Sequence, residues 1–188
     1  QTLHELNPEF VVERYNKHYS TLSSADFIVE KGLSVLPEYS YINLSGMTFT
    51  SSPEDASNYH SYLEYLTDNN DNTSWEPAGA KELTTYTLTL NLKTTKDLHG
   101  LKLVQTYFDN VNKRSWCPQS VKIYVSTDGV KWDVATYVEE LEIGHSTGEV
   151  NIIPFIESGV QAQYVKVLVP TPHSESTYNI SLAEIGLY

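Results

Sequence analysis

Apolar and polar positions alternate without a break from residue 85 to 92, within a strand predicted over 83–92. Tyr86, Leu88, Leu90 and Leu92 fall on one side, and Thr85, Thr87, Thr89 and Asn91 on the other. Side chains on a strand repeat every two residues, so this segment reads as a β-strand with one face in a core and the other in water. The same period returns at Val121, Ile123 and Val125, interrupted by Lys122 and Tyr124. Asp128-Gly129 then predicts a turn, with residues 132–138 as the returning strand. Shorter apolar stretches at 101–104, 151–156, 164–169 and 180–188 complete the series. Many short strands with few helical patterns predict an all-β fold, an antiparallel sandwich or barrel.

Residues 1–42 follow a different pattern. Asn7, Pro8 and Glu9 make a helix start, with a capping side chain, a proline at the first helical position and an acid near the positive end. Val11, Tyr15 and His18 or Tyr19 continue one face to about Ser20. Residues 27–29 and 33–36, separated by Glu30-Lys31-Gly32, then predict a short hairpin that Pro37 ends. The segment is too small for a core of its own. It is expected to be an N-terminal extension, a linker or the tail of an upstream domain, docked on the domain at 43–188 or on a neighbouring domain.

The chain has 188 residues, 40% hydrophobic and 19% charged, enough for one packed domain. Its net charge of -12 repels phosphate backbones and anionic lipid, which argues against nucleic-acid partners and membrane-surface roles. No apolar run is long enough to span a bilayer, and no leader peptide is visible, as would also be true of a mature secreted protein. The single Cys117 forms no internal disulfide and is expected to be a packed free thiol. Tyr is used 14 times against 5 Phe and 3 Trp. That bias suits half-exposed strands and binding loops, because the flat ring carries a polar tip. Catalytic patterns are missing: there is no His-Glu-x-x-His, no Gly-x-Ser-x-Gly and no glycine-rich phosphate loop, and the six His are scattered. The expectation is a protein that is not an enzyme.

Three motifs follow in order. They are Asp68-Asn69-Asn70-Asp71-Asn72-Thr73-Ser74-Trp75, then Val121-Lys122-Ile123-Tyr124-Val125-Ser126-Thr127-Asp128-Gly129-Val130-Lys131-Trp132, then Ser181-Leu182-Ala183-Glu184-Ile185-Gly186-Leu187-Tyr188. Together they resemble the discoidin family, also called factor V/VIII type C domains, and the related galactose-binding-like carbohydrate-binding modules of bacteria. The resemblance covers roughly residues 43–188 and implies a jelly-roll β-sandwich. Asn69 stands where the family usually has Gly, and Asn is the next best residue for a left-handed backbone. The terminal cysteine pair of animal members is absent. Trp75 and Trp132, inside the motifs, are expected in the core.

Asp68, Asn70 and Thr73 offer oxygens within one tight turn, fewer than the six to eight that calcium takes. In similar domains a structural calcium ion is held by the matching Asp, Thr and Glu with carbonyl oxygens. The resemblance therefore implies a metal site of Asp68, Asn70 (through its carbonyl), Thr73 and Glu184, the last on the closing strand. The alternative is a metal-free Asx-rich turn.

The resemblance also puts a binding face on loops at one end. A sugar needs an aromatic platform for its C–H face and a few hydrogen-bonding groups for its hydroxyls. Tyr107, Phe108, Asn112, Arg114 and Trp116 fit that need, with His60 in one converging loop and His173 and Tyr178 in another. The expected function is non-catalytic carbohydrate binding, as a module of a bacterial surface or secreted glycan-handling protein with neighbouring domains. The alternative is a protein-interaction or spacer domain on the same fold. The two differ in whether these side chains converge on one exposed patch.

Overall fold

The computed structural model describes residues 40–54, 62–77, 82–106, 116–141, 150–171 and 179–188. The helix and hairpin expected before residue 40 lie outside them. Among the described residues eight strands are formed: β1 Thr50–Ser52, β2 Thr85–Leu98, β3 Gly100–Gln105, β4 Val121–Ser126, β5 Asp133–Val138, β6 Val150–Pro154, β7 Val160–Pro170 and β8 Leu182–Leu187. The alternation in β2 does what its period demands. Tyr86, Leu88, Leu90 and Leu92 are buried, while the threonines between them face outward. β2 then runs further than its apolar pattern. The ladder with β7 shifts register between Asn91 and Lys96, where Lys93 takes a positive φ of 68°. The Asn91 side chain accepts from the Lys93 amide at 2.8 Å and steadies the bulge. Pairing with β7, rather than local pattern, extends the strand.

The strands form two antiparallel sheets, ordered β1-β2-β7-β4-β5 and β6-β3-β8. The all-β sandwich read from the sequence is the fold observed. Between the sheets lie Leu88, Leu90, Ile123, Val165 and Val167 from one layer and Leu101, Leu103, Leu182, Ile185 and Leu187 from the other. Trp75 closes the core beside β8. Its amide donates to the Leu182 carbonyl at 2.9 Å, the Leu182 amide returns the bond at 3.1 Å, and its ring meets Tyr86 edge-on at 5.2 Å.

Trp132 differs from expectation. It is half-buried and outside the core, with the Lys166 ammonium 3.7 Å from its ring centroid and Tyr164 edge-on at 6.5 Å. The reason is parity. Trp132 sits in the turn before β5, and its ring packs on Lys166 and Tyr164, which face away from the inward Val165 and Val167.

Strand polarity divides the molecule into two ends. At one end the connections are short: His99 alone joins β2 to β3, residues 127–132 join β4 to β5, and residues 155–159 join β6 to β7. The first of these turns is fixed by side chains. Ser126 Oγ accepts from the Gly129 amide at 2.9 Å, and Asp128 Oδ1 accepts from the Val130 and Lys131 amides at 2.8 and 2.9 Å. Those two amide bonds hold the Asp128 carboxyl below its ordinary pKa. The registers bring Ser52, Thr85, Val121, Val138, Val150, Pro170, Gln105 and Leu182 to the opposite end.

The two family tryptophans should therefore respond differently to truncation. Trp75→Ala should cost about 3–5 kcal/mol in urea unfolding, as a large core truncation does. Trp132→Ala should cost about 1 kcal/mol, the scale of an exposed cation–π contact with its packing. Equal losses would contradict the burial described.

Candidate functional site

The end opposite the short turns has a polar floor. β3 finishes in Gln105, only 1% exposed, whose Nε2 donates to the Pro118 carbonyl at 2.9 Å. This bond ties the end of β3 to the segment leading into β4. Among the described residues the buried Gln105 Oε1 has no hydrogen-bond partner, an arrangement that costs stability unless another donor supplies it. The buried Cys117 thiol points at the Thr106 carbonyl, with sulfur and oxygen 3.5 Å apart. It is buried and outside any disulfide, as expected. Ser181 lies 2.7 Å from Thr106 Oγ1 and 3.1 Å from Glu76 Oε1, and Ser74 donates to the same Glu76 oxygen at 2.9 Å. The Ser181 amide donates to the Trp116 carbonyl at 3.0 Å. Trp116 itself is half-buried at the edge of this floor.

Of the expected sugar-binding residues, Trp116 is thus placed at this end. Tyr107, Phe108, Asn112, Arg114, His60, His173 and Tyr178 lie outside the described residues. The described residues that flank 78–81, 107–115, 142–149 and 172–178 all belong to this end, and β1 delivers the chain to it before 55–61. Gln105, Glu76 and Ser181 were not singled out from the sequence. One signal existed for Gln105: it stands at an inward parity in a strand otherwise apolar on that side, a position that demands a partner.

The acidic loop is built against the closing strand. A 3-10 turn, Leu63–Thr67, delivers Asp68, and Asn69 adopts the left-handed conformation at φ 60°, as its place in the motif implied. That geometry aims two successive amides at Glu184, which is 5% exposed. The Asn69 and Asn70 amides donate to Glu184 Oε1 at 2.5 and 3.3 Å. Asp68 accepts from the Asn70 amide at 2.9 Å and from the Thr73 hydroxyl at 2.8 Å. Asn70 Oδ1 is turned to the Asn72 amide at 3.2 Å, while the Asn70 main-chain carbonyl accepts from the Thr73 amide at 3.0 Å. A small cleft lined by Tyr41, Leu44, Thr67, Lys102 and Gly186 opens beside Glu184.

Burial raises the Glu184 carboxyl to about 7, and neighbouring Asp68 adds to the rise, while the two amides oppose it. The charged form of Glu184 is therefore costly here, and a proton or a cation beside it would lower that cost. Among the described residues no three His, Cys, Asp or Glu side chains converge. A cation here would draw on two carboxylates, a hydroxyl and carbonyls, the oxygen-only set of a hard ion.

These observations define a two-sheet antiparallel sandwich with its long connections at one end and an acidic loop tied to its last strand. The family model of the F5/8 type C domain matches residues 48–184. The chain belongs to that family, as its motifs suggested. Among solved structures it is similar to CBM32-3 from a family 31 glycoside hydrolase of Clostridium perfringens, at 21% identity and a TM-score of 0.62, covering 79% of this chain and 94% of that one. It is similar to CpGH89CBM32-5 of the same organism, in complex with GalNAc-β-1,3-galactose, at 17% identity and a TM-score of 0.58, covering 79% and 99%. A third relative in fold is the family 32 carbohydrate-binding module of C. perfringens NanJ, in complex with galactose, at 17% identity and a TM-score of 0.58, covering 78% and 96%. A comparison with curated protein sequences returns no match.

The raised Glu184 pKa gives a signed expectation for the cation-free protein. Glu184 binds its proton more tightly when folded, so its contribution is fully present below its ordinary value of 4.5 and is lost as pH rises to about 7. In chelator, urea midpoints should fall from pH 4.5 to pH 7 by more in the native protein than in Glu184→Gln. Parallel pH profiles for the two would refute the burial argument.

Proposed function

We propose that the chain is a non-catalytic carbohydrate-binding module, taking sugar at the end of the sandwich where its long connections arise. The observation that carries this reading is the polarity of the strands. It brings the described flanks of 107–115 and 172–178 to one end, beside a polar floor with Trp116 at its edge, which supports a ligand site there. An aromatic ring beside a floor of hydroxyl, amide and carboxylate groups is the combination that a sugar requires. The solved structures of this fold with galactose and GalNAc-β-1,3-galactose support neutral galactose-type or amino-sugar ligands. In this reading Tyr107, Phe108, Asn112, Arg114, His60, His173 and Tyr178 supply the remaining contacts. The module works within a secreted or surface glycan-handling protein of a bacterium, where neighbouring modules turn weak single-site binding into useful avidity. Among the described residues no helix is long and apolar enough to cross a membrane.

A structural calcium ion belongs to the same proposal. Asp68, Glu184 and Thr73 would hold it with main-chain carbonyls, and Asn70 would contribute through its main-chain carbonyl, since its side-chain oxygen serves Asn72. The ion would offset the cost of the buried Glu184 charge and tie the loop to β8.

A glycan array with calcium, repeated after chelation, tests the first part. Binding to galactose- or GalNAc-terminated glycans should weaken at least tenfold in Trp116→Ala, with the fold intact by circular dichroism. No binding by the folded protein to any glycan would reject the lectin reading. For the ion, millimolar calcium should raise the melting temperature of the native protein by several degrees and leave Asp68→Ala unmoved. Equal shifts in both would place any cation elsewhere.

A further inference from the structure

The floor at the loop end has a hydrogen-bond polarity: its donors turn inward. The Ser74 and Ser181 hydroxyls both meet Glu76 Oε1, at 2.9 and 3.1 Å. A carboxylate oxygen only accepts, so each serine proton lies on that contact. Ser181 has a single hydroxyl proton. The proton in its 2.7 Å contact with Thr106 Oγ1 therefore comes from Thr106. Other donors are engaged within the floor as well. Gln105 Nε2 donates to the Pro118 carbonyl, the Cys117 thiol to the Thr106 carbonyl, and the Ser181 amide to the Trp116 carbonyl.

What these bonds leave over are acceptors. Thr106 keeps lone pairs on a half-buried hydroxyl whose proton is committed to Ser181. Gln105 Oε1 has no partner among the described residues. The Gln105 amide has one orientation, because only its nitrogen can meet the Pro118 carbonyl. Glu76 is half-buried, and its first oxygen serves the two serines. Among the described residues its second oxygen has no hydrogen-bond partner, and no cationic side chain lies within ion-pair distance of the carboxylate. Ser181 joins this set to Trp116, through the amide bond to the Trp116 carbonyl.

We infer, on the carbohydrate-binding reading above, that Glu76 makes this floor select a sugar with a free amine, an unacetylated and cationic hexosamine, over the matching neutral sugar. An ammonium group carries three donors and no acceptor, the complement of a floor that offers acceptors. A hydroxyl at the same carbon brings one donor. An acetamide there brings one donor and a carbonyl that would face other acceptors. Against a carboxylate the ammonium bond is also charge-assisted, roughly twice as strong as a neutral one. The Ser74 and Ser181 hydroxyls hold the Glu76 carboxylate in place before a ligand arrives, which lowers the ordering cost of binding.

Galactosamine, galactose and N-acetylgalactosamine differ only at their second carbon, and NMR titration of each into the native protein with calcium tests this. Ethanolamine serves as an amine without a sugar ring. Galactosamine should bind at least fivefold tighter than either of the other sugars at 50 mM salt, and by a smaller margin at 300 mM. Glu76→Gln keeps an oxygen for both serines, and in it the ratio of galactosamine to galactose affinity should fall to about one. Glu82→Gln removes the same charge from an exposed acid at the same end and should leave the ratio as it is. Galactose binding without a preference for galactosamine overturns the proposal and leaves the carbohydrate-binding reading standing. A ratio that survives Glu76→Gln, an equal fall in Glu82→Gln, or ethanolamine binding as tightly as galactosamine overturns it too. If none of the three sugars binds, the galactose-type reading falls and the proposal falls with it.

Discussion

The structure depends on how the last strand is satisfied. β8 sits at the edge of a three-stranded sheet, yet five of its six residues are buried. An edge strand exposes unpaired amides and carbonyls, and a buried one cannot leave them so. Each neighbour of β8 answers part of this need. Trp75 exchanges two main-chain bonds with Leu182, and the Ile42 amide donates to the Leu187 carbonyl at 2.8 Å. The acidic loop sends the Asn69 and Asn70 amides to Glu184. The aromatic ring of Tyr41 stands edge-on to Tyr188 at 6.1 Å, just past the strand. Remove β8 and the acidic loop, the first described residues and the tryptophan plug all lose their anchor together.

The same strand links the floor of the candidate site to the acidic loop. Ser181, immediately before β8, holds the Trp116 carbonyl and the Thr106 and Glu76 side chains at the floor of the candidate sugar site. Glu184, three residues on, meets the acidic loop. A shift of β8 along its axis would therefore disturb both. That would give the proposed cation a physical route to the candidate sugar site without touching ligand.

Much of the fold was legible because a half-exposed strand writes its burial into alternate residues. Leu88, Leu90 and Leu92, and Val121, Ile123 and Val125, occupy the core positions their period assigned. The left-handed Asn69 and the buried Glu184 were legible through motifs, since each satisfies a stereochemical or solvation demand that few residue types meet. Trp132 was not legible. A motif records that a large ring is needed and is silent on which face of the sheet the ring covers. Nor were Gln105, Ser181 and Glu76, single polar residues whose roles exist only once β3, β8 and the segment after Trp75 are brought together.

By itself the amino-acid sequence determined the strands, their inward faces and the turn at Asp128-Gly129, because period and backbone stereochemistry are local properties of the chain. It also determined that Asp68 and Glu184 needed oxygen or nitrogen partners. Only the tertiary structure decided which strands pair, which end gathers the long connections, and that Lys166 meets Trp132 on the face opposite the core. Those juxtapositions join residues tens of positions apart. They arise from ladder register and sheet stacking, which no local pattern encodes.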